Sequence, residues 1–151
     1  MNMSLEKPGA VWYESLPHSG EVYSLIYQAT SGATKNERLD AVATLGKGGD
    51  PRAVRPLIDL LGDPDPEIRV AVIGALGELK SGRSAEALTG LLRDRREPVA
   101  IRQQAAAALA AIRSTGAVLG LEEFVADEDE DPAIREFAGF VLNGNGNRQK
   151  R

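Results

Sequence analysis

Cysteine is absent from the 151 residues, which removes a disulfide framework and any thiolate metal site. Histidine is almost absent too: His18 stands alone, so a Ser-His-Asp arrangement has little to be built from. Aromatic residues make up only 5%, and the core must therefore be aliphatic. No apolar run reaches the roughly 18 residues needed to cross a bilayer. No basic segment followed by an apolar stretch lies between Met1 and Ser15, so a secretory leader is not expected. A net charge of −4 argues against a general nucleic-acid binder, whose phosphate contacts demand a basic face. These absences predict a cytoplasmic chain with neither a membrane nor a nucleic acid as partner. What remains is 42% hydrophobic, enough to fill the core of one domain.

What is present is periodic. Arg38, Arg69, Arg102 and Arg135 recur 31, 33 and 33 residues apart. Each is followed three residues later by a small or β-branched apolar residue (Ala41, Val72, Ala105, Ala138) and seven later by leucine (Leu45, Leu76, Leu109, Leu142). A second register matches Asp50, Ser81 and Ser114, then Leu57, Leu88 and Leu121. Each unit reads as two helices. The first opens on a cap: Thr34 with Glu37 forms a capping box, and Asp65-Pro66 and Asp131-Pro132 set an acceptor before a first-turn proline. Glu97-Pro98 is a weaker version. These helices are expected to end near Gly46, Gly77 and Arg113, and Asp50, Ser81 and Ser114 then cap the second helices. Apolar residues at 3.6 periodicity, such as Ile68, Val72, Ile73 and Leu76, mark the buried faces. One unit cannot bury enough surface to stand alone, so the units must stack. The reading is all-α, with units at 34–64, 65–96 and 97–130, a half unit at 131–142, and a disordered tail at 143–151. Residues 1–33, which hold Trp12, Tyr13, Tyr23 and Tyr27, form an N-terminal cap segment with one helix from about Glu21 to Thr30.

The pattern Asp65-Pro66-Glu67-Ile68-Arg69 with Gly77, and Asp50-Pro51-Arg52-Ala53-Val54-Arg55-Pro56-Leu57, resembles the short HEAT-like repeat named after phycobilisome lyases. The resemblance covers 34–142. It implies a right-handed α-solenoid of about three and a half helix pairs with an N-terminal helical cap. It also implies that Arg38, Arg69, Arg102 and Arg135 form a structural ladder, for which Asp63, Asp65, Asp94, Asp127 and Asp131 are the acceptors on offer. The second helices would then line the concave face. Their exposed positions include Arg52, Arg55, Asp59, Arg83, Glu86, Arg93, Leu119, Glu122 and Glu123, a polar and charged set suited to a reversible protein contact.

The expected function is a non-enzymatic scaffold that binds a protein through that face, without a cofactor or metal. A lyase-like role on a tetrapyrrole is the alternative implied by the resemblance, although the chain has no cysteine to hold a bilin. A third is self-association through Phe137, Phe140 or Trp12, giving a monomer or weak homodimer. The HEAT-like deoxyhypusine hydroxylases use His-Glu pairs, which a chain with one histidine cannot supply. The acidic run Asp127 to Asp131 fails as a calcium loop, because Pro132 and Ala138 stand where glycine and glutamate are needed. Gly46-Lys47-Gly48-Gly49 follows a helix rather than a strand and is expected to be a C-cap and turn.

Overall fold

A computed structural model describes residues 19–144; Trp12, Tyr13, His18 and residues 145–151 of the expected tail lie outside the described residues, while Asn143 and Gly144, placed in that tail, instead continue the last helix. Among the described residues, eight α-helices follow one another: α1 (Ser19–Ser31), α2 (Lys35–Gly48), α3 (Val54–Leu60), α4 (Pro66–Leu79), α5 (Ala85–Arg93), α6 (Val99–Ile112), α7 (Thr115–Ala126) and α8 (Pro132–Gly144). Short 3-10 turns, Pro51–Ala53 and Gly82–Ser84, lead into α3 and α5. Among the described residues there is no strand.

Local chemistry sets the helix starts. The Thr34 hydroxyl accepts from the Glu37 N–H at 3.1 Å, while the Glu37 carboxylate accepts from the Ala33 N–H at 3.1 Å. Asp65 and Asp131 cap α4 and α8 just ahead of a proline that has no N–H to leave unsatisfied. Pro98 precedes α6 with no side-chain cap.

The ends expected near Gly46 and Gly77 lie further on, whereas α6 ends at Arg113 as expected. The α2 helix runs on to Gly48 and is closed by Gly49 at φ +70°, and Lys80 (φ 52°) and Arg113 (φ 56°) close α4 and α6. Gly46 and Gly77 therefore lie inside helices, where they serve packing. A Cβ on Gly46 would stand 2.8 Å from the Ala75 Cα, and one on Gly77 would stand 3.5 Å from the Ala108 Cα. Close backbone approach between stacked helices requires glycine at Gly46, whereas a Cβ at Gly77 would make an ordinary contact.

Packing makes two layers. The first helices α2, α4, α6 and α8 stack in order, and α1, α3, α5 and α7 each lie against the first helix that follows them. The core runs between the layers: Leu57, Ile68, Leu76, Leu88, Leu109, Leu121, Phe124 and Ile134 are fully buried. Helix α1 relates to α2 as α5 does to α6, since the carbonyls of Ala29 and Leu92 both accept from the Nε of the next arginine, Arg38 and Arg102.

Candidate functional site

The recurring arginines occupy the seam between the layers. Near the start of each first helix, a guanidinium reaches the C-terminal end of the preceding second helix, whose last carbonyls have no partner within their own helix. Arg38, Arg102 and Arg135 donate from Nε to Ala29, Leu92 and Val125 at 2.9, 2.7 and 3.0 Å. Three of the four then take a carboxylate from the next inter-helix turn. Arg38 pairs with Asp63, Arg69 with Glu97 at 3.0 Å, and Arg102 with Glu130 at 3.1 Å. Arg102 and Glu130 are each only 5% exposed. Arg69 differs because α3 ends early: its Nη1 donates to the Asp63 carbonyl at 2.7 Å, leaving its buried Nε unpaired.

Two of these acceptors, Glu97 and Glu130, were missed from sequence. The carboxylates on offer elsewhere are taken: Asp94 holds Arg96, Asp127 holds Arg93, and Asp131 caps α8. The signal was positional. Glu97 and Glu130 stand five residues before Arg102 and Arg135, and Asp63 stands six before Arg69.

Burial would push the Asp63 carboxyl up, but hydrogen bonds from Arg38 and the Asp65 N–H outweigh it and hold the group below its ordinary value. A depressed folded pKa contributes stability that is present above the unfolded value, near ~3.9, and is lost as pH falls through the folded one. The melting temperature should therefore hold steady above about pH 5 and drop below about pH 4. Asp63→Asn, less stable at neutral pH, should show a shallower acid drop in melts across pH 2.5 to 7, the range chosen to bracket ~3.9.

The second-helix face presents a stripe from every helix of that layer. Tyr23 and Tyr27 are exposed on α1, Arg52 and Arg55 with Asp59 on α3 and its lead-in turn, Arg83 and Glu86 on the lead-in turn and start of α5, and Leu119, Glu122 and Glu123 on α7. The helical spacing of these positions keeps them opposite the buried face of each helix. Arg52 is held by Asp50, with Nη2 to Oδ2 at 2.6 Å, and lies over the Tyr23 ring at 5.7 Å. Arg55 pairs loosely with Asp59 at 3.4 Å. Arg93, expected on this face, instead bridges Asp127 at 3.1 Å and Glu130 at 3.5 Å while lying over Phe124. Those contacts remove it from the set available to a partner. Gly120 lets α7 close on α5, where a Cβ would crowd the Thr89 side chain.

The first-helix side carries an open apolar groove lined by Leu39, Pro66, Val70, Ala71, Pro98 and Ile101. On α8, Phe137 packs against the core whereas Phe140 is 72% exposed. Among the described residues, no cluster of three or more acidic, histidine or cysteine side chains could hold a metal ion. No helix there is long and apolar enough to cross a membrane.

A seam of arginines between two helical layers, repeated at 31 to 33 residues, agrees with a match to the HEAT-repeat family model over residues 23–101, just over half of the chain. The chain belongs to the HEAT-repeat family. The match begins at residue 23, inside α1 and ahead of the unit boundary placed at 34. Human deoxyhypusine hydroxylase, solved in complex with glycerol, shares this HEAT-repeat fold with a TM-score of 0.74 at 20% identity, over 94% of this chain and 47% of that one. The chain thus spans about half of that protein's length, and at this identity the likeness is one of fold. No curated protein matches the chain in sequence.

Proposed function

We propose that this HEAT-repeat chain is a non-enzymatic scaffold, working in the cytoplasm without a cofactor, that holds a protein partner against the exposed stripe of its second helices. Stacked repeats offer extended surfaces of this kind, and binding proteins is their general use. The observation that carries the reading is the continuity of the stripe from Tyr23 to Glu123, across four helices, in side chains that the core does not need. Its polar character, with Tyr23, Tyr27 and Leu119 as isolated apolar points, suits a reversible and salt-sensitive contact. The Asp-Pro-x-Ile-Arg pattern supports reading the repeats as the phycobilisome-lyase type. A tetrapyrrole-handling role is not favoured, because the apolar groove lies along the first helices rather than on this face.

The test is affinity capture from the native cell with the wild type and with an Arg55→Glu, Glu122→Lys double variant. Both positions are exposed, so the double variant should lose less than about 1 kcal/mol of stability. Captured partners should fall away. Recovery of the same partners at the same yield would remove the second-helix face from consideration.

A further inference from the structure

The outward side of the first-helix layer carries a groove and a projecting ring, neither of which the core needs. The groove, about 490 Å³, is walled by Leu39, Pro66, Val70, Pro98 and Ile101. Its one charged wall residue, Glu67, is held by Lys35 at 2.8 Å. The ring is Phe140, 72% exposed on α8. It stands in the row of Ala43, Gly74 and Ala107, the outward row of each first helix, so it projects from the side on which the groove opens. Between the two lies α6, whose single charged residue, Arg102, is buried in its rung. The outward positions of α6, Gln104, Ala107 and Ala111, are uncharged, so another surface can approach there without stripping water from a charge. Charges border this area instead, with Glu78 at the end of α4 and Glu136 on α8. A charge-depleted centre inside a polar rim is how protein interfaces are built.

We infer that this face pairs with the same face of a second copy of the chain, each Phe140 entering the other copy's groove beside Val70. A second copy is the occupant because one surface supplies both halves of the contact. A two-fold axis lying in the face, midway between groove and ring, maps each onto the other, so the contact forms twice and the pair is closed. The helices under it, α4, α6 and α8, have 14, 14 and 13 residues. At about 20 Å in length and about 8–10 Å apart, they offer about 500–600 Å² per copy. That is the low end for a specific interface, and it sets a weak dimer that dissociates at about 1–100 μM. The two second-helix stripes then face outward on opposite sides of the pair, so this inference and the proposed partner site do not depend on each other.

Sedimentation equilibrium of the full chain from about 1 to about 500 μM is the test. The mass should climb from one chain to two and stop there. Val70→Glu and Phe140→Lys, both at exposed positions, should each weaken the dimer at least about a hundredfold, because every dimer contains the contact twice. Mixed in equal amounts, these two variants should associate again to within about tenfold of the wild type, since one contact of the mixed pair is intact and the other joins opposite charges. Arg55→Glu on the second-helix face should leave the dimer unchanged. A single-chain mass at the highest concentration would overturn the inference, as would a mass that grows past two chains. A dimer that both single variants leave within about twofold of the wild type would overturn it too, and so would a mixture no more associated than its components.

Discussion

Glu130→Ala is expected to remove about 3–5 kcal/mol of unfolding free energy, the cost of leaving a buried charge without its partner. Glu130 meets Arg102 at 3.1 Å, Arg93 at 3.5 Å and Arg95 at 3.8 Å, and its side chain is 5% exposed. Without it, the Arg102 guanidinium keeps the Leu92 carbonyl as its hydrogen-bond partner and the Phe124 ring at 6.0 Å, but no counter-charge, in a place water does not reach. Arg93 retains Asp127 and Arg95 retains the Asp129 carbonyl, so the loss concentrates on Arg102. Arg96→Ala makes the contrast. Arg96 is paired with Asp94 in its own turn and its side chain is 92% exposed, so its removal should leave the stability nearly unchanged. Urea unfolding at pH 7 measures both. Equal, small effects would mean that the buried rung contributes no more than a surface pair.

The second large effect is one of sign. Gly46→Ala should destabilise by about 1–3 kcal/mol, because the new Cβ would lie 2.8 Å from the Ala75 Cα and 2.9 Å from its Cβ. Backbone cannot swing aside, so α2 and α4 must separate. That cost exceeds the roughly 1 kcal/mol gained from better helix propensity. Gly74→Ala carries the same chemistry with the opposite result. Gly74 sits exposed in the middle of α4 with nothing within 4 Å of a Cβ, so the propensity gain of up to about 1 kcal/mol is kept. Chemical denaturation of the two variants side by side decides it; a stabilising Gly46→Ala would show that the stacked helices have room to spare.

These two experiments mark where the fold was legible and where it was not. Repeated arginines, proline-marked caps and the 3.6 periodicity of Ile68, Val72 and Leu76 are local signals, and they disclosed the first helices and the stack. The ends at Gly46 and Gly77 were misjudged, unlike the one at Arg113, because a glycine reads as a C-cap whether it ends a helix or lets another helix approach. At Gly46 only the tertiary neighbour, Ala75, tells the two apart. The rung acceptors were misjudged for a related reason. Several carboxylates lie near each arginine in sequence, and the structure selects Glu97 and Glu130 while engaging Asp94, Asp127 and Asp131 with nearer partners. Arg93 shows the same limit on the second-helix face, since helical spacing cannot reveal that Asp127 and Glu130 from the following turn will reach it. Arg55, Glu86, Leu119, Glu122 and Glu123 lack such a cross-helix contact and remain as exposed as their spacing required.

The arginines hold the stack, and the partner is expected on the other helix of each pair. Hydrogen exchange on the chain, free and in the complex captured from its native cell, tests that division most directly. Slowed exchange on binding should fall in α3, α5 and α7 and in the 3-10 turns that lead into them. Slowed exchange confined to α2, α4 and α6, along the groove of Leu39, Val70 and Ile101, would contradict it.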